Sequence, residues 1–290
     1  MSIKNSSQQT TPVEYKIIPP NRFSLDLEEL WRYRELFYSY AWRDIRIKYK
    51  QSIFGLLWAI IQPLIMMVMF TIFFSNFLEL STDGIPAPVF YFSGLMVWVL
   101  FSTSVTTASN SMLSNSVVIK KVYFPRLIIP LSSVLVAFFD YLMTLILFAG
   151  MILFYLVTGR TLSVSLPALL WCIPLSLLIT LTTSFGIGAM IGALIVKYRD
   201  FRFIIGFMIQ ILMFATPVIY PVSILDNSPE IKYILSLNPI MTAVNLARLP
   251  FMSIELDLLM VLLSLISMCG LFVLGVYVFK KTEKYFADLA

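Results

Sequence analysis

Six long apolar stretches, with basic residues confined to alternate gaps between them, restrict this 290-residue chain to one kind of structure. They run over about 53–78, 88–113, 127–157, 166–196, 203–221 and 256–279, and each meets or approaches the ~20 residues that a helix needs to cross a ~30 Å hydrocarbon core. Inside a bilayer, backbone N–H and C=O groups must be satisfied within the segment, so these stretches are predicted as helices. The gaps set the orientation. Residues 1–50 hold nine Lys or Arg; Lys120, Lys121 and Arg126 follow the second stretch, Lys197, Arg199 and Arg202 the fourth, and Lys280, Lys281 and Lys284 the last. Arg160, Lys232 and Arg248 fall on the other side, which leaves 18 of the 21 cations on one side. The positive-inside bias then places both termini in the cytoplasm.

Composition excludes several kinds of function. At 59% hydrophobic, the chain exceeds what a soluble domain carries, and the excess is lipid-facing surface. The net charge of +5 does not point to nucleic acid, because the cations flank the spans, where they set topology and meet anionic lipid. Histidine is absent, which removes the commonest general base and metal ligand and rules out a Ser/His/Asp or Cys/His set. No G-x-x-x-x-G-K-[ST] occurs, so the chain has no P-loop for ATP. The acidic residues on the external side, Glu79, Asp83, Asp226, Glu230, Glu255 and Asp257, form no D-x-D or E-x-x-H pattern. Cys172 and Cys269 lie within spans at no ligand spacing and read as small apolar fillers. The first 50 residues are polar and charged, so no cleavable signal peptide is expected. A conduit is favoured over a catalyst.

Along the chain, residues 1–23 read as a flexible, Ser-, Gln- and Pro-bearing arm. Asp26 is a good N-cap, with Glu29 three residues on, for an amphipathic helix within 24–50. Its stripe of Leu27, Trp31, Tyr38, Trp42, Ile45 and Tyr49 opposes Arg32, Arg43, Arg46 and Lys50, the pattern of a helix lying in the membrane interface. Gln62-Pro63 kinks the first span. The second carries eight polar residues between Ser102 and Ser111, which pack against neighbouring helices or line water. The segment 114–122 reads as a short helix on the cytoplasmic surface, stopped before Pro125. Asp140 lies deep in the third span, so it faces protein or water, either as a partnered structural carboxylate or as an ion site. Gly186, Gly188 and Gly192 give the fourth span a face for close helix packing. Asn238-Pro239 divides 222–250 into two short apolar helices, read as a re-entrant hairpin or lid on the outer side.

Five fragments occur in a recognisable order: Trp42 to Leu64 (WRDIRIKYKQSIFGLLWAIIQPL), Lys121 to Leu131 (KVYFPRLIIPL), Val196 to Arg202 (VKYRDFR), Thr216 to Pro221 (TPVIYP) and Leu237 to Pro239 (LNP). As an ordered set they resemble the ABC-2 type permeases that export polysaccharides, over about residues 27–285, and within them the O-antigen branch; relatives export capsule or teichoic acid. The resemblance implies an all-α membrane protein of six spans, with the transmembrane domain over 51–285, in the bacterial inner membrane. It implies a homodimer bound to two copies of a separate ATPase that holds ATP and Mg, with no cofactor in this chain and no enzymatic activity of its own. The implied substrate is a polysaccharide on an undecaprenyl-pyrophosphate lipid.

The resemblance also distributes roles. Trp31, Trp42, Arg43 and Arg46 fall on the interface helix. Asn115, Val118, Lys120 and Lys121 fall on a coupling helix that contacts the ATPase, with Lys197, Arg199 and Asp200 as a second contact. Spans one and five line the pore, where Trp58, Gln62, Phe70, Phe74, Phe207, Gln210, Phe214 and Tyr220 are the candidates. Gln62 and Gln210 lead these, because an amide facing lipid is costly. Asn238, Pro239, Asn245 and Arg248 fall on the outer gate helices, with Arg248 and Asn245 either meeting the passing substrate or forming a solvated face. The rival readings are a membrane-embedded lipid-linked sugar transferase, which lacks a convincing catalytic cluster here, and a passive channel.

Overall fold

A computed structural model of the chain describes residues 27–50, 55, 57–159, 162–252, 257–283 and 286. The arm 1–23, the cap at Asp26, and Arg160, Glu255 and Lys284 lie outside the described residues. Among the described residues the regular structure is all helical, with no strand.

Two near-continuous helices, α1 (Leu27–Arg32) and α2 (Arg34–Lys50), precede the first span, joined through Tyr33 by its amide bond to the Glu29 carbonyl at 3.2 Å. The first span starts as α3 (Leu57–Phe70), with Pro63 inside it, and widens to a π-helix over Thr71–Phe77. Next come α4 (Ala87–Ser114), the short α5 (Ser116–Lys121), α6 (Ile128–Val157) and α7 (Leu166–Lys197). After them follow α8 (Phe201–Ala215), α9 (Pro229–Leu235), α10 (Pro239–Arg248) and α11 (Leu258–Glu283). Among the described residues, five helical segments are long and apolar enough to cross a membrane. The expected fifth span is the exception. α8 has 15 residues, roughly 22 Å of helix at ~1.5 Å per residue, which falls short of a ~30 Å core. Pro217 is the reason: it cannot donate to the helix and disfavours helical backbone at Thr216, so the chain turns over Thr216–Pro221.

α4 and α7 form the centre, packed on each other, on α10 and on α6 or α11. Their small residues make this possible. A Cβ at Gly188 would stand 2.7 Å from the Ala108 Cβ, and one at Gly275 of α11 would stand 2.0 Å from the Gly186 carbonyl oxygen, so the backbones touch there. The glycine face of the fourth span thus serves two neighbours. Most hydroxyls of α4 turn back onto their own helix: Thr106 donates to the Ser102 carbonyl at 2.7 Å, Thr107 to Thr103 at 2.8 Å and Ser109 to Val105 at 2.6 Å. That satisfies them in an apolar medium without water.

α2 packs on α6 through a stripe the sequence reading missed. Leu36, Phe37, Tyr40 and Ala41 face the bundle, while Trp31 and Trp42 of the expected stripe stand out from it, 71% and 55% exposed. The helix therefore has two apolar faces, one for the bundle and one for lipid, and only the second is visible as an aromatic pattern. Arg34, which falls on that stripe, lies 5.6 Å from the Trp31 ring.

α10 is not a lid. Ile240, Met241, Ala243 and Val244 are fully buried against α4, α7 and α11. Only the outer piece, α9 and its flanks, shows apolar side chains, with Ile231, Ile234 and Leu237 exposed.

Candidate translocation site

Basic clusters and short helices gather at one end of the bundle. α5 is anchored by buried Ile119 and leaves Val117, Lys120 and Lys121 exposed; Val118 is half-buried. Asn115 sits between α4 and α5, donating to the Ser111 carbonyl at 2.9 Å and accepting from the Arg43 guanidinium at 2.8 Å. Arg43 thereby ties α2 to the root of α5, while its guanidinium also stacks on Tyr40 and pairs with Asp44 at 2.7 Å. Lys197, Tyr198, Arg199 and Asp200 are all exposed. Arg46 lies over the Trp42 ring at 5.1 Å. Val117 and Tyr123, 64% and 75% exposed, extend this apolar and basic surface. Nothing in the sequence pattern singles out Tyr123 for this surface; its exposure comes from the turn before Pro125.

The pore candidates separate into two groups. Trp58, Gln62, Phe207, Gln210 and Phe214 lie on the uncovered faces of α3 and α8, each of which rests on α4. Among the described residues neither amide is given a hydrogen-bond partner by its own subunit. Phe70 and Phe74 instead pack inward against Tyr91, with ring centroids 6.1 and 6.3 Å away, and are half-buried. Tyr220, also half-buried, donates to the Phe214 carbonyl at 3.2 Å.

At the opposite end, the proposed gate residues act as braces within the subunit. Asn238 caps α10 by accepting from the Ile240 amide at 3.1 Å and donates to Thr216 at 2.9 Å. Pro239 is buried at the first position of α10, and Asn245 is half-buried. Arg248 corrects the reading of a solvated face: it is 1% exposed. Its guanidinium donates to the carbonyls of Pro217 at 2.5 Å, Val218 at 2.7 Å and Phe90 at 3.3 Å, and lies 3.6 Å from the Phe90 ring centroid. The Pro217 and Val218 carbonyls belong to the turn that follows α8, where no further helical turn supplies them with donors, and the cation bonds them there. Nearby, Lys232 pairs with Asp226 at 2.9 Å and Asp257 at 3.1 Å, closing the outer segment onto the start of α11. Burial works against both charged forms, but the ion pairs hold the Lys232 ammonium above its ordinary pKa, and the Met260 amide and Lys232 hold the Asp257 carboxyl below its own.

The family model described as ABC-2 type transporter matches residues 35–252, which contain every helix from most of α2 through α10. The chain belongs to the ABC-2 type transporter family. An ABC-2 subunit of this kind is a multi-pass membrane component of a transporter, in accord with the five long spans and the absence of a P-loop. Curated relatives are narrower. The chain is 29% identical to the O-antigen export system permease protein RfbA of Klebsiella pneumoniae, over 248 residues covering 85% of this chain and 92% of the relative. It is 28% identical to the protein of the same description from Myxococcus xanthus, over 216 residues covering 74% and 80%.

Proposed function

We propose that this ABC-2 subunit is the permease half of an ATP-driven exporter that moves an undecaprenyl-pyrophosphate-linked O-antigen polysaccharide out of the cytoplasm across the bacterial inner membrane. Two copies form the pore, and two copies of a separate ATPase supply ATP hydrolysis with Mg; neither nucleotide nor metal is bound by this chain. The observation that carries the reading is the pair of nearly unburied helices, α3 and α8, whose open faces mix Phe and Trp with Gln62 and Gln210. An amide left without a partner in hydrocarbon is costly, so these faces suit a second copy and a wet, aromatic-lined passage rather than lipid. The names of the relatives supply the substrate class.

The geometry supports a path for force. The α5 end and the 197–200 turn present exposed groups for the ATPase, and the Arg43–Asn115 bond passes a displacement of α5 to α2. α2 in turn lies against α6. At the other end, α9 with its exposed Ile231, Ile234 and Leu237 is the element free to open for a glycan, while α10 stays with the bundle.

Complementation tests the proposal. A strain lacking its own O-antigen permease, supplied with this chain and its ATPase, should display polymer at the surface, and a cysteine at position 62 or 210 should react with a water-soluble thiol reagent during export. Polymer retained inside on its lipid carrier, with the complex assembled, would refute it. Rescue of a capsule or teichoic acid exporter instead would move the substrate within the same family.

A further inference from the structure

Asp140 takes no part in either the pore face or the contact surface for the ATPase. Its side chain is 14% exposed, and two groups from the end of α2 hold both its oxygens: the Lys48 ammonium pairs with one, and the Tyr49 hydroxyl donates to the other. The Lys48 ammonium also lies 5.6 Å from the Tyr49 ring, so the three side chains form one cluster. The partnered reading of this carboxylate thus has its partners. Stability alone does not account for the cluster. Taking a carboxylate and an ammonium out of water is costly, and an apolar pair of similar volume in their place is often neutral or stabilising. What the ion pair and the hydroxyl add is direction. They hold one geometry, whereas apolar contact is non-directional.

The rest of the contact between α2 and α6 lacks that direction. Tyr40 meets Phe124 just ahead of α6, with ring centroids 5.9 Å apart, and Tyr49 meets Phe139 within it at 6.2 Å. Both segments advance the same way between these contacts, so α2 runs alongside α6 and not across it. The nine residues from Tyr40 to Tyr49 cover about 14 Å at ~1.5 Å per residue. The apolar side chains of α2 that face the bundle resist separation, but a slide along the axis exchanges one apolar contact for another. Polar bonds grip α2 at two points. Arg43 donates to Asn115, whose own amide is fixed to the Ser111 carbonyl at the root of α5, and Lys48 and Tyr49 hold Asp140. Arg43 and Lys48 are five residues apart, about 8 Å at ~1.5 Å per residue, on one helix with no Gly or Pro between them, so the two grips belong to one rigid element.

We propose that Asp140 is a positioning residue for export: through Lys48 and Tyr49 it fixes the axial register of α2 against α6, so that a displacement of α5 caught by Arg43 moves α6 instead of sliding α2 along it. The inference rests on the reading of the chain as an ATP-driven exporter and names the joint at the far end of its path for force. Beside the joint is a cavity of about 260 Å³, bounded by α2, α3, α4 and α6, which Lys48, Tyr49 and Asp140 share with Trp58 and Gln62. The joint therefore stands at the beginning of the first span, and α6 packs on both α3 and α4. Movement of α6 there reaches the helix whose open face carries Trp58 and Gln62.

The test uses the permease and ATPase together in inside-out vesicles from cells that make the lipid-linked glycan. Polymer carried into the lumen and ATP hydrolysed are both measured per assembled complex. Asp140→Asn should lower export at least about tenfold, a loss within the range of coupling between sites, while ATP hydrolysis is kept. Lys48→Met should do the same, and the two changes together should lose no more than either alone, because both remove one contact. Exchanging the charges, Lys48→Asp with Asp140→Lys, should export well above Asp140→Lys alone. A cluster that only braced the fold would lower the amount of assembled complex and leave the polymer exported per ATP unchanged. Where Asp140→Asn fails to assemble, Lys48→Met carries the test, since the Lys48 side chain is 43% exposed and Met keeps its length. Parental polymer per ATP in these variants, losses that multiply in the pair, or an exchange no better than Asp140→Lys alone overturns the joint and leaves the exporter reading standing. ATP hydrolysis without export by the unaltered complex refutes the exporter reading, and the joint falls with it.

Discussion

Arg248 is the side chain whose removal the structure makes most consequential. Replacing it with Met keeps much of the volume and removes the guanidinium from three carbonyls and the Phe90 ring. Two of those bonds are short, and a hydrogen bond to a charged donor contributes about 1.5–3 kcal/mol. Relief of the buried charge returns part of this, which leaves a net loss of about 3 kcal/mol. For a chain of this size that lowers the melting temperature by about 5 °C. A second substitution isolates the cause. A Cβ at Gly94 would stand 2.5 Å from the Arg248 Nη2, so Gly94→Ala must push the guanidinium off its carbonyls. The two changes act on one contact and should not add: Gly94→Ala should cost at least about 1 kcal/mol less in the Arg248→Met background than alone. Thermal loss of the folded protein, followed by fluorescence-detected size exclusion of the four proteins, measures both quantities. A melting temperature for Arg248→Met equal to the parent's, or strictly additive losses, would refute the view that the cation holds the break in the fifth span.

Three further outcomes follow from the packing and the charges. Val117→Asp on the exposed side of α5, and Asn115→Ala, which releases Arg43, should leave the protein in the membrane and its ATPase active while polymer export falls at least severalfold; export at parental rates would contradict the coupling role. Gly275→Ala should cost ~3 kcal/mol or more, because its Cβ meets the Gly186 backbone, whereas Gly150→Ala, with nothing within 4 Å, should be silent; equal melting temperatures for the two would show that α7 and α11 do not touch as described. Lys232→Met should lose about 1 kcal/mol, and the loss should vary with pH in a defined way. The Asp257 carboxyl is held below its ordinary 3.8, so its contribution is present above that value and lost as pH falls through the depressed one; the Lys232 contribution is present below its ordinary 10.5 and lost as pH rises through the raised one. The gap between parent and variant should therefore stay constant from about pH 5 to about pH 9 and narrow in acid, and a gap that changes between those limits would contradict the latch.

Apolar length and cation placement are local properties of a chain, and a bilayer reads them locally. That is why 88–113 becomes Ala87–Ser114 and 127–157 becomes Ile128–Val157, and why the glycines of the fourth span could be assigned to close packing from their spacing alone. The same logic misjudged 203–221. Its composition suits a full span, but Pro217 breaks it, and the group that makes the break tolerable is 31 residues away at Arg248. Arg248 itself looked like a surface cation, since nothing next to it in the chain says that three backbone carbonyls and an aromatic ring surround it.

The interface helix shows the same division. Its aromatic stripe declares a lipid-facing side, but the stripe of Leu36, Phe37 and Tyr40 acquires meaning only when α6 lies beside it. Asp140 is the clearest case. That a carboxylate within a span needs a partner or water follows from the cost of burying charge. Which partner it has, Lys48, lies 92 residues earlier on the interface helix, and the cavity beside them exists only because four separate helices meet there. The long spans and the family were carried by short-range pattern; the broken fifth span, the inward Arg248 and the chamber at Asp140 come from long-range packing, which no local window of the chain contains.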